Sequence, residues 1–132
     1  MEYLSQKKGF LGFDANQNFN PKVIVVPFGL EKTVSYGGGT KNGPKEIIKA
    51  SHQVELFDEE LNKEPYKEIG IKTIKPFAIK SKITQALDQL SKINEKIIAN
   101  NKFPLVLGGE HSITPGSIKP LVNKYDELTL LH

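Results

Sequence analysis

Four consecutive β-branched residues, Val23, Ile24, Val25 and Val26, leave a strand no face to turn towards water. Successive strand side chains point to opposite sides, so such a run fits only a sheet covered on both faces. That segment is expected to be a central strand of a parallel sheet. Pro27 is expected to end it, because proline brings no N–H to a ladder. Phe103, Leu105, Val106 and Leu107 form a similar run that breaks off at Gly108 and Gly109. A shorter strand is expected around Ile69 to Ile74, and Leu128 to His132 read as one more buried strand.

Between these runs the period changes. Ile83, Leu87, Leu90, Ile93 and Ile97 recur at spacings of four, three, three and four, which predicts one helix with one apolar stripe, ending near Asn100 and Asn101. Pro44 can sit in the first turn of a helix whose Ile47, Ile48 and Ala50 face inward. Ile118, Leu121 and Val122 indicate another helix, with Pro120 leaving its start open. Strands alternating with helices over short connections predict an α/β fold, a three-layer αβα arrangement with a mainly parallel sheet. Residues 1–132 are expected to form part of one domain, with 1–20 an irregular N-terminal arm held by Phe10, Leu11 and Phe13. A doubly buried strand at the last residue, without a helix to cover it, suggests that the domain is incomplete at its C-terminus.

The chain has no cysteine, which leaves no disulfide framework and no thiolate nucleophile, so any metal site must use His, Asp and Glu. Hard ligands of that kind favour manganese or magnesium. All 18 basic residues are lysine and are scattered among 15 acidic ones, for a net charge of +3. Without arginine or a basic stripe, nucleic-acid binding is not expected. No apolar run is long enough to span a membrane and the N-terminus carries no secretory pattern, so a cytoplasmic protein is expected.

Ligands in open α/β sheets gather where loops leave the carboxyl ends of strands. Gly108-Gly109-Glu110-His111-Ser112 occupies such a place, and its imidazole could bind a metal, move protons or simply hydrogen-bond within a turn. The loop Ser35 to Gly43 carries four glycines but matches neither a Walker loop nor a dinucleotide fingerprint, and reads as a structural turn that also walls the cleft. His52 is expected on a helix surface, Glu59 and Glu60 on a solvated turn, and His132 in a strand.

Gly108-Gly109-Glu110-His111-Ser112-Ile113-Thr114 resembles the Gly-Gly-Glu/Asp-His-Ser motif of the ureohydrolases, the group of agmatinase, arginase, formimidoylglutamase and guanidinobutyrase. Upstream, Thr33-Val34-Ser35-Tyr36 and Gly39-Thr40-Lys41-Asn42-Gly43-Pro44 resemble the Ser-Tyr and Gly-Thr-Arg-x-Gly-Pro segments of agmatinases in order and rough spacing. The resemblance implies a binuclear manganese centre with His111 as one metal ligand, and hydrolysis of a small guanidino substrate, agmatine first, to putrescine and urea. It also implies homo-oligomers at full length. The other ligands of that centre belong to Asp-x-His-x-Asp and Asp-x-Asp motifs, neither of which occurs in these residues, so the chain alone is expected to be inactive. His132 matches a position just before that motif that is not a ligand. Lys41 stands where the family carries arginine and cannot make the bidentate fork. Glu110 is expected to orient either His111 or a neighbouring backbone group. The alternatives are another guanidino hydrolase or an α/β interaction module that has lost the site.

Overall fold

The structure, a computed structural model, describes residues 1–14 and 20–131. Three parallel strands, β1 (Val23–Phe28), β2 (Ile71–Thr73) and β3 (Phe103–Gly108), form one sheet in the order β2-β1-β3. Helices α1 (Gly43–Ala50), α2 (Pro65–Ile69), α3 (Ile83–Ala99) and α4 (Thr114–Val122) fill the connections and follow β3. The chain is therefore an α/β unit with a parallel sheet, as the alternation of periods requires.

β1 is central, and its apolar run behaves as a doubly covered strand must. Ile24, Val26 and Phe28 pack with Ala86, Leu90 and Ile97 of α3, while Val25, pointing the other way, is equally buried. The apolar stripe of α3 thus meets one face of the sheet. Asn101, in the left-handed conformation at φ 55°, turns the chain out of α3 and back towards β3.

Pro27 does not end β1. Val25 accepts a hydrogen bond from Ile74 on the β2 side, whereas Lys22 and Phe28 accept from Phe103 and Gly109 on the β3 side. Odd-numbered positions therefore address β2, which pairs only as far as Val25, so the N–H that proline lacks would have had no strand to meet. β3 is an edge strand in the described sheet and is half-buried rather than buried, with Phe103 63% exposed. The inward-facing trio expected on α1 is also corrected: Pro44 is buried and Ile48 half-buried, but Ile47 and Ala50 are exposed. At about 100° per residue Ala50 lies about 200° around the helix from Ile48 and cannot share its face.

No strand forms over 128–131. These residues run without regular structure, with Leu128, Leu130 and Leu131 exposed, and His132 lies outside the described residues. An apolar run becomes a strand only where a ladder partner and a cover meet it, and among the described residues this segment has neither. The N-terminal residues expected to be irregular dock by backbone contacts: Tyr3 bridges to Ile74, Phe10 donates to the Thr73 hydroxyl at 2.8 Å, and Leu11 donates to the Ser51 hydroxyl at 2.8 Å. Phe13 is buried against Tyr66 of α2, ring centroids 4.6 Å apart, and residues 15–19 lie outside the described residues.

Candidate functional site

In the order β2-β1-β3 the chain leaves β1 towards one neighbour and later returns on the other side, which places the switch point between β1 and β3. The carboxyl ends of those two strands are in register, Phe28 beside Gly108. Two segments leave the sheet together there: the loop from Gly29 to Asn42, and the turn from Gly109 to Ile113.

Backbone pairing continues past the sheet and fixes the two segments to each other. Gly109 donates to the Phe28 carbonyl at 3.2 Å, and Glu110 donates to the Leu30 carbonyl at 3.0 Å. A β-carbon on Gly109 would collide with the Leu30 carbonyl oxygen, so the second glycine of the motif is demanded by this close approach. Ile113 then plugs the turn His111–Ile113 into the core, the Thr114 hydroxyl donates to the His111 carbonyl at 3.0 Å, and His111 itself is left exposed at the switch point.

Glu110, beside it, is buried and points at the neighbouring loop rather than at His111. Oε2 accepts the backbone N–H groups of Lys32 and Thr33, both at 2.8 Å; Oε1 accepts the hydroxyls of Thr33 at 2.9 Å and Ser112 at 2.6 Å. Burial pushes this carboxyl up, but the Ser112 hydroxyl, the two backbone donors and the Thr33 hydroxyl outweigh it and hold the group at a pKa of about 2. It is an anion with its acceptor sites filled.

A second carboxylate, Glu31, organises the far side of the same loop. It accepts the N–H of Gly39 at 2.6 Å, the Thr40 hydroxyl at 3.1 Å and the N–H of Lys41 at 3.2 Å, and these donors lower its pKa. Lys41, in the place of the family's arginine, contributes mainly through its backbone: its exposed ammonium stands 3.8 Å from Glu31. Glu31 does not stand out in the sequence, and although Thr33 belongs to a segment that resembles agmatinases, its bond to Glu110 is selected by the fold of the loop.

The other histidine within the described residues has a separate task. His52 is exposed on the turn after α1, its Nε2 is 2.8 Å from the Gly9 carbonyl oxygen, and its ring lies against Gly12, so it supports the N-terminal residues. A cavity of about 810 Å³ between α3 and the segment from Ile74 to Lys80 is lined by neither His111 nor Glu110. Among the described residues no three His, Asp or Glu are grouped so as to hold a metal ion. The exposed imidazole of His111 could serve as one ligand, but it does not make up a binuclear manganese centre by itself, since such a centre needs several carboxylates as well.

A parallel α/β sheet with a Gly-Gly-Glu-His turn at the switch point defines the class, and comparison with known proteins narrows it. The arginase family profile matches residues 21–132, and the chain belongs to the arginase family. It is 33% identical over 130 residues to the N(1)-aminopropylagmatine ureohydrolase of Synechocystis sp., covering 91% of this chain and 41% of that protein. It is 31% identical over 115 residues to the agmatinase of Bacillus cereus, covering 84% and 38%. Among solved structures it resembles the agmatine ureohydrolase of Thermoplasma volcanium, with a TM-score of 0.66 and 25% identity over 76% of this chain and 34% of that one. It also resembles the arginase of Bacillus subtilis, with a TM-score of 0.56 and 27% identity over 82% and 35%. The chain spans about two fifths of the length of the curated relatives it matches.

Proposed function

We propose that the protein carrying this chain hydrolyses a guanidino compound, agmatine first, to putrescine and urea, and so supplies polyamine biosynthesis. The observation that carries this reading is His111, exposed on a glycine-built turn at the switch point of a sheet that belongs to the arginase family. A guanidinium is a resonance-stabilised cation that water attacks poorly at neutral pH, so the reaction needs an activated water and a group that handles the proton passed to the leaving amine. Manganese, when bound, would supply that activation in this reading, with His111 among its ligands. The described residues do not complete such a site, and what they provide is scaffold: a rigid turn that presents His111, and a loop fixed beside it by Glu110 and Glu31.

A neighbouring reading is favoured by one comparison. The Synechocystis relative, matched over 91% of this chain, acts by its name on N(1)-aminopropylagmatine, an agmatine extended at its amine. Cytoplasmic location and homo-oligomers at full length belong to the same family-based proposal, and among the described residues no helix is long and apolar enough to cross a membrane. The test is urea release by the full-length protein with manganese from agmatine, N(1)-aminopropylagmatine, arginine and 4-guanidinobutyrate. Preference for agmatine is expected; preference for the aminopropyl compound selects the neighbouring reading, and release from none of the four overturns the function.

A further inference from the structure

We propose that Glu110 is a positioning residue: its carboxylate references the loop from Glu31 to Asn42 to the turn that carries His111, so that the loop tip forms one wall of the site. This rests on the guanidino-hydrolase reading for its effect on substrate, though not for the clamp itself.

Three observations carry it. First, an ionised carboxylate offers about four lone-pair sites. Glu110 receives four donors, two backbone N–H groups and two hydroxyls, all at 2.6 to 2.9 Å, so no acceptor site is left for a substrate or for His111. Second, the loop closes on itself at its base. A β-carbon on Gly29 would collide with the Lys41 carbonyl, and Glu31 binds residues 39–41 of its own loop, contacts that keep the loop's shape but move with it. Glu110 reaches the loop from outside, across 77 positions of sequence, just before an exposed tip in which Val34 is 37% and Tyr36 99% exposed. Third, Ser112 donates to the same carboxylate, so the residues on both sides of His111 share one anchor with the loop. Shifting the anchor shifts the wall relative to the imidazole.

The experiment uses the full-length protein and the variants E110Q, E110D, T33V and E110Q/T33V. Losing an acceptor of charge-assisted hydrogen bonds is expected to raise KM for the guanidino substrate about 10-fold in E110Q, with kcat changed less than about 3-fold, because substrate contacts made by the wall are lost and the reacting groups stay. T33V is expected to raise KM about 3-fold, and the double variant no more than E110Q alone, since both act on one clamp. E110D, which keeps the charge, restores most of the wild-type KM. Chymotrypsin, which cuts after tyrosine, cleaves at Tyr36 faster in E110Q and T33V than in wild type or E110D.

A fall in kcat at unchanged KM, or KM effects that multiply in the double variant, overturns the positioning role. So does Tyr36 cleavage at the wild-type rate in T33V, a substitution at an exposed residue that leaves the core intact. If wild type releases no urea from any guanidino compound, the proposed function fails and the cleavage rates alone decide the clamp.

Discussion

The backbone N–H and the hydroxyl of Thr33 both end on the single carboxylate of Glu110, at 2.8 and 2.9 Å. Thr33 lies in the loop after the central strand, whereas Glu110 follows the edge strand, so two connections far apart in sequence are held together beside His111.

His111 and His52 should separate cleanly in the full-length protein. Because His111 stands at the switch point, H111A is expected to lose about 100-fold in urea release while the circular dichroism spectrum stays native, the upper end of what losing even an orienting partner of a metal site costs. H52A should keep its turnover and lose about 1 kcal/mol of stability, the usual worth of one hydrogen bond, here that to Gly9. Wild-type turnover in a folded H111A protein would show that His111 takes no part.

The loop tie at Glu31 sets a pH dependence with a definite sign. Its folded pKa lies below the ordinary value of 4.5, first through the N–H groups of Lys41 and Gly39. A lowered carboxylate pKa means that the ionised form is favoured by folding, so the contribution is complete above about pH 4.5 and is lost as pH falls through the folded value. NMR titration of the Gly39 and Lys41 amide resonances should show one midpoint below 4.5, absent in E31Q. A midpoint at or above 4.5 contradicts the tie.

Stability of the sheet should depend on α3 and on the Gly109 close approach. L90A removes a fully buried side chain and is expected to destabilise by about 3 kcal/mol, the middle of the range for such truncations. G109A forces a methyl group against the Leu30 carbonyl and should cost about 2 kcal/mol. Urea denaturation followed by circular dichroism measures both, and a G109A midpoint equal to wild type would mean that the turn relaxes freely.

The 132-residue chain should self-associate. Phe103 on the edge strand is 63% exposed, and Leu130 and Leu131 in the irregular segment are 59% and 91% exposed, so an unpaired strand edge and apolar surface both invite association. Sedimentation velocity is expected to show a concentration-dependent shift at micromolar protein that F103K reduces. A concentration-independent monomer would count against it.

Manganese should bind this chain weakly, because its described residues group no three ligands. Titration calorimetry is expected to show no stoichiometric step; a tight one-to-one isotherm would mean that ligands come together in a way the fold does not suggest.

Several parts of the structure were legible from residue order alone. The uninterrupted Val23–Val26 run demanded a doubly covered central strand, the spacing from Ile83 to Ile97 a helix with one buried stripe, and the Gly108-Gly109 pair a tight turn presenting His111. Each is written within a few consecutive residues, by side-chain alternation, helical period or the space a β-carbon needs. The remainder depended on which segments meet. Pro27 sits within β1 because β2 stops short of it, Phe103 is exposed because β3 is an edge, and Leu128 to Leu131 form no strand because no described segment pairs with them. Glu110 could be placed near the site from its motif, but its choice of Thr33 over His111 needed the loop after β1 and the turn after β3 to emerge side by side. A hydrogen-bond partner 77 positions away is selected by that crossing of chains, which no local pattern encodes.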